Sequence, residues 1–137
     1  MKVVDVERVK TNPDPYEPFL LSQGIRYRDL LFISGQAGYG DDGQIVAGGF
    51  DAQADQAFAN LDRALRAGGS SLADVVKVTI FVTDMAANFA AVVEHRRRHF
   101  TAPYPADSVV EVAGLYVPEA EIEIEAIAVA KAGMPAG

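Results

Sequence analysis

Cysteine is absent from the 137-residue chain. A disulfide framework, a thiol nucleophile and a thiolate metal site are therefore excluded, and the composition is typical of a reducing compartment. The N-terminal segment, MKVVDVERVK, lacks the uninterrupted apolar run of a secretory signal or a membrane span. We accordingly predict a cytoplasmic protein with no membrane partner.

Positive charge is scarce, since the chain has 12 Lys and Arg residues against 19 Asp and Glu residues, and its net charge is −7. The electric field of a negatively charged protein repels phosphate backbones and anionic membranes, which argues against a nucleic-acid partner. The one basic cluster is the arginine run at 96–98. It falls near the end of a predicted helix, where cations favour the helix dipole and a solvated face is expected. RNA binding is the alternative interpretation of this cluster.

Several motifs of known chemistry are missing. The glycine-rich stretch QAGYGDDGQIVAGG contains neither GxxxxGK[ST] nor GxGxxG, and no serine lies in a GxSxG elbow. The sequence therefore shows no phosphate-binding loop and no serine nucleophile of these types.

His95 and His99 are spaced i, i+4 and share a helix face, which is the geometry that lets two imidazoles reach one metal ion. However, the adjacent arginines oppose a cation, and Glu94 is the only carboxylate near the motif. We therefore predict no metal site.

Half of the residues are hydrophobic, which predicts one ordered domain over residues 1–137. The predicted elements are strands over 3–9, 19–27, 29–35, 75–83, 108–115 and 121–130 and helices over 50–67 and 86–100. Asp51 is the predicted N-cap of the first helix, and Gly68 and Gly69 end it. The order β-β-β-α-β-α-β-β predicts an α+β fold with the helices on one face of a mixed sheet.

Two features of the predicted strands bear on function. The strands over 31–35, 75–83 and 121–130 offer apolar side chains to both faces of the sheet, which predicts self-association. Glu121, Glu123 and Glu125 alternate along the last strand, either as a solvated acidic ladder or, near an interface, as groups with a raised pKa that move protons. The pattern does not select among the three glutamates.

Separate motifs resemble the RidA/YjgF family of small imine deaminases from about residue 19 to residue 130. They are DLLFISGQ, QAFANLDRAL, AGGSSLADVVKVTIFVTDM followed by NFAAV, YPADSVVEVAGL and EIEAIAVA. The resemblance implies the chorismate-mutase-like fold of that family. It also implies a homotrimer in which three sheets form a central barrel, the helices lie outside, and three ligand clefts lie between neighbouring subunits.

The family's deaminases hydrolyse 2-imino acids to 2-oxo acids and ammonia, and no metal or organic cofactor takes part. The resemblance implies that an arginine holds the substrate carboxylate and that a glutamate positions the water. Ser34 and Gly35 match the serine and glycine of the family's FISGQ motif, and both are predicted to bind substrate. Glu123 matches the cleft glutamate and is a predicted catalytic residue.

Four positions depart from the family pattern. Leu21 stands where a cleft tyrosine is usual, Val93 replaces an asparagine of the second helix, and Val109 replaces a cysteine or threonine. The arginine of the P-x-R-S motif is Asp107 in this chain. The three apolar residues are predicted to line the cleft, with Asp107 as a second acid beside Glu123.

An arginine at this position would attract the carboxylate of a 2-imino acid, whereas the carboxylate of Asp107 repels it. We therefore predict a RidA-like hydrolase or deaminase of altered specificity that acts on an imine, an enamine or a related amine without a free carboxylate. Asp107 would pair with the substrate nitrogen, and Glu123 would direct water.

Other interpretations stay open. The chain is alternatively a trimeric metabolite- or partner-binding protein without turnover, in which Asp107 pairs with Arg26 or Arg28 of the neighbouring subunit. Tyr39 or Tyr104 of that subunit would be candidates to compensate for the departures. A ribonuclease, a role attached to some relatives, is a third interpretation, and the acidic charge weighs against it.

Overall fold

A computed structural model describes residues 5–130 of the chain. Its strands are β1 Glu7–Val9, β2 Gly24–Tyr27, β3 Leu30–Ala37, β4 Val75–Val82, β5 Ala106–Glu111 and β6 Ile122–Val129. Its helices are α1 Gly49–Ala67 and α2 Met85–His99, with short 3₁₀ turns at Glu17–Phe19 and Leu72–Asp74. The predicted order of strands and helices is confirmed.

The six strands form one mixed sheet in the order β1-β2-β3-β6-β4-β5. The pair β4–β5 is parallel, and the other pairs are antiparallel. This follows from the connections, because α2 carries the chain from the end of β4 back to the start of β5, as a parallel pair requires. β6 inserts between β3 and β4 and forms the centre of the sheet.

The core lies between one face of this sheet and the two helices. The apolar stripe of α1 buries Phe58, Leu61 and Leu65, and α2 adds Val92. Alternate residues of the central strand, including Ile122 and Ile124, point into the same layer because side chains alternate along a strand. The predicted class, an α+β domain with helices on one face of a mixed sheet, is confirmed.

The opposite face of the sheet carries apolar side chains in the described chain. Phe32 of β3 is 41% exposed and lies across from Ile127 of β6. Phe81 of β4 lies across from Glu123. This face therefore mixes aromatic, aliphatic and acidic groups, as the two-faced strand pattern predicted.

Several element boundaries differ from the sequence predictions. The strand predicted over 19–27 begins at Gly24, because the preceding 3₁₀ turn ends at Leu20 in a left-handed conformation with φ 62°. The strand predicted over 108–115 occupies Ala106–Glu111. The first predicted strand, 3–9, is observed as Glu7–Val9, and its positions 3 and 4 lie outside the described residues.

The predicted N-cap of α1 is wrong. Gly48 occupies that position with φ 113°, a conformation that glycine adopts without steric cost. Asp51 lies in the first turn instead, where an acid favours the positive end of the helix dipole. Its carboxylate is engaged by His95 of α2, with 3.0 Å between Oδ1 and Nε2.

Candidate active site

A bulge in β3 brings Gly35 against Glu123. The pairing of β3 with β6 shifts register between Ile33 and Gln36. A Cβ placed on Gly35 would lie 2.6 Å from Cδ of Glu123, well inside contact distance. Glycine is therefore required for the carboxyl group to occupy its place beside this backbone, and the structure brings these two predicted site residues together.

Two tyrosines support the bulge. The Tyr16 hydroxyl donates to the Gly35 carbonyl at 2.7 Å. The Tyr39 hydroxyl lies 3.1 Å from the Tyr16 oxygen and 2.9 Å from Oε1 of Gln36. Burial, followed by the neighbouring Tyr39, raises the pKa of Tyr16, so this phenol remains a protonated donor.

Tyr16 was not predicted as a site residue, because it lies in a proline-rich turn that precedes the recognised motifs. Tyr39 was predicted only as a residue that a neighbouring subunit contributes. In the described chain, Tyr39 bonds within its own subunit. A phenol is thus present at the bulge although Leu21 replaces the family's usual tyrosine, and Tyr16 supplies it from five positions upstream.

Glu123 is distinguished from the other glutamates of β6 by its surroundings. Burial and, secondarily, the charge of Glu125 raise the pKa of Glu123. Glu121 instead accepts a hydrogen bond from Nε2 of Gln53 at 3.1 Å, and Glu125 is exposed. A half-buried carboxyl with a raised pKa beside a bulged backbone is a stronger base than an ordinary glutamate. The sequence pattern alone assigned this property to none of the three glutamates.

Ser34 and Leu21 lie on the flank of the same bulge. The Ser34 hydroxyl donates to the Ser22 carbonyl at 2.6 Å, and its amide donates to the Gln23 carbonyl. Leu21 immediately precedes Ser22 and is 43% exposed. Ser34 thus fixes the position of the segment that contains Leu21. The hydroxyl proton of Ser34 is engaged in the hydrogen bond to the Ser22 carbonyl.

Asp107 belongs to a second group of residues, between β5 and α2. Its carboxylate accepts two hydrogen bonds from Arg96, from Nε at 2.7 Å and from Nη2 at 2.9 Å. Both side chains are largely shielded from solvent. Within this chain the partner of Asp107 is thus an arginine of α2, and pairing with Arg26 or Arg28 of another subunit stays a prediction. The predicted solvated role of the arginine run does not hold for Arg96.

A groove of about 380 Å³ opens beside this pair. Its lining consists of Val93, Arg96, Arg97, Phe100, Tyr104, Pro105 and Asp107. The groove combines apolar walls with an ion pair whose charges cancel. Val109, also predicted at the cleft, packs against the hydrophobic core instead of lining this groove.

The two groups lie on opposite faces of the sheet within one chain. Asp107 is in register with the buried Val78 and faces α2. Glu123 alternates with the buried Ile122 and Ile124 and faces away from the helices. The chain therefore does not bring its two predicted catalytic acids together by itself.

The remaining arginines of the basic cluster are also paired. Arg97 bonds to Glu94, and Arg98 donates to Oδ1 of Asp55 at 2.8 Å. Together with the Arg96 pair, these contacts offset all three positive charges locally. A further cluster, in which Asp55 meets His95 and His99, lies between α1 and α2, on the helix side of the sheet.

Comparison with known proteins identifies the fold and these motifs. A sequence profile described as Endoribonuclease L-PSP matches residues 9–130. The chain belongs to the RidA/YjgF family.

Individual RidA/YjgF relatives extend this result. Reactive Intermediate Deaminase A, chloroplastic, of Arabidopsis thaliana is 37% identical over 128 residues, which are 93% of this chain and 65% of the relative. This chain thus spans just under two thirds of that relative's length. A 2-iminobutanoate/2-iminopropanoate deaminase of Dermatophagoides farinae is 36% identical over 118 residues, covering 85% of this chain and 89% of the relative.

A solved structure shows the same architecture. The crystal structure of RidA from an Antarctic Psychrobacter species superposes with a TM-score of 0.82 at 34% identity, covering 90% of this chain and 98% of that one. Among the described residues, no helix is long and apolar enough to cross a membrane. Because the Arabidopsis relative is chloroplastic, membership of the RidA/YjgF family does not define a compartment, and a cytoplasmic location stays a prediction.

Proposed function

We propose that this protein is a RidA-like hydrolase that converts imines or enamines without a free carboxylate to carbonyl compounds. The decisive observation is the neutral pair of Asp107 and Arg96 at the groove, in the position where the resemblance implies a free arginine. Both acceptor oxygens of Asp107 are occupied, and two of the guanidinium nitrogens already donate to them. The groove therefore favours a neutral molecule over an anionic 2-imino acid.

The charge balance supports this specificity. A free guanidinium holds a carboxylate through two parallel hydrogen bonds, and its full charge adds to their strength. When a carboxylate of the protein already occupies that fork, a second carboxylate meets the repulsion of Asp107, and the other arginine of the lining, Arg97, is itself bonded to Glu94. The apolar side chains of Val93 and Phe100 add surface suited to an uncharged body.

The proposed reaction is hydrolysis of a carbon–nitrogen double bond. Glu123 as a carboxylate accepts a proton from water while the oxygen attacks the imine carbon, and it passes that proton to the nitrogen to form a carbinolamine. The carbinolamine hydroxyl then loses its proton to the nitrogen by way of Glu123, the carbon–nitrogen bond breaks, and ammonia leaves as the carbonyl group forms. The half-buried position of Glu123 and its raised pKa make it a stronger base than an exposed glutamate.

We further propose that the two groups of site residues meet in a homotrimer. Within one chain the sheet separates Asp107 from Glu123, so an intersubunit cleft is the arrangement that would unite them. The exposed Phe32 and the neighbouring Phe81 and Ile127 supply an apolar face that association would cover. The small-molecule ligand would then lie between the Glu123 side of one subunit and the groove of the next.

The test is ammonia release from freshly generated imines. An amine oxidase supplies imines without a carboxylate, and an amino-acid oxidase supplies 2-imino acids. We expect acceleration of the first group only, and loss of that acceleration in Glu123→Gln. Glu7→Gln, which removes an exposed glutamate of β1, serves as the matched control and should retain full activity. Acceleration confined to 2-imino acids would refute the proposed specificity.

A binding protein without turnover is the second candidate. It is favoured by the separation of the two acids on opposite faces of the sheet. In that case neither class of imine would be hydrolysed faster than in buffer, and Asp107→Ala would change ligand affinity without product formation. A nuclease is disfavoured because the net charge is −7 and the arginines at 96–98 are paired with carboxylates.

A further inference from the structure

We propose that Asp55, His95 and His99 form a binding site for a divalent transition metal between α1 and α2, and Zn²⁺ is the ion that the ligand set fits best. The nitrogen and oxygen atoms that these residues offer all lie within 4.8 Å of one another. The two histidines belong to α2, and the carboxylate comes from α1. This site is independent of the proposed hydrolase activity.

The two distances from Asp55 to the histidines agree with tetrahedral coordination, and the two histidine nitrogens lie within 4.8 Å of each other. Oδ1 of Asp55 lies 3.4 Å from Nδ1 of His95 and 3.3 Å from Nε2 of His99. Zinc bonds to nitrogen and oxygen of about 2.0–2.1 Å correspond to ligand-to-ligand edges of about 3.3–3.4 Å in a tetrahedron. Three protein ligands leave a fourth position for water, and the half-exposed Asp55 leaves the site accessible to solvent.

His95 supplies the independent observation that points to a ligand. The side chain is only 1% exposed, and its Nδ1 has no hydrogen-bond partner among the described residues. The other ring nitrogen, Nε2, lies 3.0 Å from Oδ1 of Asp51, and a carboxylate at that distance requires Nε2 to carry the proton. With a proton on Nε2, Nδ1 is left 3.4 Å from Oδ1 of Asp55 as a nitrogen that can coordinate a metal ion.

The His95 ring is buried whereas Asp55 is half-exposed, and a positive species between their facing electron-rich atoms would compensate the buried nitrogen. A metal ion meets this requirement, and the contact of Asp51 with His95 is then the carboxylate–histidine–metal arrangement that fixes the ring and its tautomer. The competing species is a second proton on His95, which would make it an imidazolium between Asp51 and Asp55.

The two histidine rings lie close together and nearly parallel. Their planes are 6° apart, with 5.7 Å between the ring centroids. Each ring therefore offers a nitrogen atom within 4.8 Å of the carboxylate oxygen that Asp55 offers from α1.

Arg98 is the element that opposes a metal. Its Nη1 donates to the same Oδ1 of Asp55 at 2.8 Å, so it would have to move toward solvent when the ion binds. The side chain is 53% exposed, which permits that movement. Replacing Arg98 by glutamine should therefore strengthen metal binding, the opposite of the effect expected for a residue that merely stabilises the helix pair.

The experiment is calorimetric titration of the untagged full chain, freed of metal by a chelator, with Zn²⁺. We expect one Zn²⁺ per chain and an increase in Tm on binding. Asp55→Asn and His99→Gln should each lower the affinity at least about tenfold, and Asp51→Asn should lower it by about 10–100-fold through the orientation of His95. Asp62→Asn, on α1 and paired with Arg66, is the control that should bind as the parent chain does.

Co²⁺ gives a spectroscopic check, because tetrahedral nitrogen and oxygen ligation produces visible absorption that His99→Gln should abolish. Both altered ligands lie near the surface, so their variants should fold, as circular dichroism will verify. The proposal is overturned if Zn²⁺ does not bind at micromolar concentration, or if His99→Gln binds as tightly as the parent. It is equally overturned if nitrogen NMR shows His95 protonated on both ring nitrogens in the presence of equimolar Zn²⁺.

Discussion

Arg96 of α2 holds Asp107 of β5 by two parallel hydrogen bonds, from Nε to Oδ2 at 2.7 Å and from Nη2 to Oδ1 at 2.9 Å. The pair sits where the resemblance to the RidA/YjgF family implies an unpaired arginine. A guanidinium is thus present beside the groove, but it comes from the helix and its charge is neutralised. The specificity of the site therefore depends on the carboxylate as much as on the arginine.

Removing the charge of Asp107 should reveal this dependence. In Asp107→Asn, Arg96 keeps one acceptor and gains a full uncompensated charge beside the groove. We expect the kcat/KM ratio of 2-imino acids to carboxylate-free imines to rise by about tenfold, which is roughly 1.4 kcal/mol of differential stabilisation. The ratio is measured with the two oxidase-coupled assays.

The same substitution should cost stability, because it leaves a partly buried charge without its partner. For a pair that retains some solvent contact, we expect the free energy of unfolding to fall by about 1–3 kcal/mol. Asp62→Asn removes an exposed partner of Arg66 and should cost less than about 1 kcal/mol. An unchanged substrate ratio in a folded Asp107→Asn protein would show that the pair does not select substrates.

Gly35 should be intolerant of any side chain for a functional reason. In Gly35→Ala the new methyl group would occupy the place of the Glu123 carboxyl, with 2.6 Å between Cβ and Cδ. Because the end of a glutamate can rotate away, we expect the variant to fold and to lose most of its imine hydrolysis. Gly43→Ala is unsuitable as a control, since its φ is 79°, whereas Gly114→Ala meets no atom within 4 Å and should remain active.

Tyr16→Phe should loosen the same bulge. The substitution removes the hydroxyl that donates to the Gly35 carbonyl and leaves that carbonyl without its phenol donor. We expect a loss of about 1 kcal/mol in the free energy of unfolding and a lower kcat, measured by urea denaturation and by ammonia release. Tyr27→Phe changes an aromatic residue of β2 and is the matched control. Equal kcat values for both variants would show that Tyr16 has no positioning role.

The architecture was accessible from the sequence because each element carried its own signal. The β-branched run at 75–83 and the alternation at 121–130 predicted the central strands, and the Phe58, Leu61 and Leu65 stripe predicted the first helix. The predicted boundaries of elements were wrong where the backbone conformation of a single residue, and not the hydrophobic periodicity, sets the end of the element. Leu20 adopts a left-handed conformation and delays β2, and Gly48 caps α1 in place of Asp51.

The site was predictable only in part. Matching of motifs located Ser34, Gly35 and Glu123, and the bulge brings Gly35 and Glu123 together. The partner of Asp107 was missed because pairing across α2 and β5 depends on how two elements pack, and a run of arginines has no periodicity that singles out one of them. The carboxylate beside the two histidines in sequence is Glu94 of the same helix, whereas the carboxylate that lies beside them in space is Asp55 of α1. Sequence distance therefore did not predict this cluster.

Association should depend on the exposed face of the sheet. If the proposed trimer forms, light scattering will give three times the 14.6 kDa chain mass. Phe32→Lys places a charge in the apolar face and should dissociate the assembly, because an unpaired charge is costly to bury. Lys77→Gln, on β4 and separated from β3 by β6, is a milder change and should preserve the mass. A monomeric parent chain would remove the intersubunit cleft and the proposed catalytic arrangement with it.

The raised pKa of Glu123 should appear in stability as well as in rate. Between the ordinary glutamate pKa and the raised one, the folded chain binds more protons at this group than the unfolded chain, so the stability contribution falls as pH rises through that window. Glu123→Gln should therefore be more stable than the parent at neutral pH and should not show this decline in stability with pH, as urea denaturation at several pH values will show.

If the carboxylate of Glu123 is the base, hydrolysis by the parent should increase over the same window. Glu125→Gln removes the charge that helps to raise the Glu123 pKa, so it should move the midpoint of the rate profile to lower pH. A midpoint that does not move would contradict the assignment of the titration to Glu123.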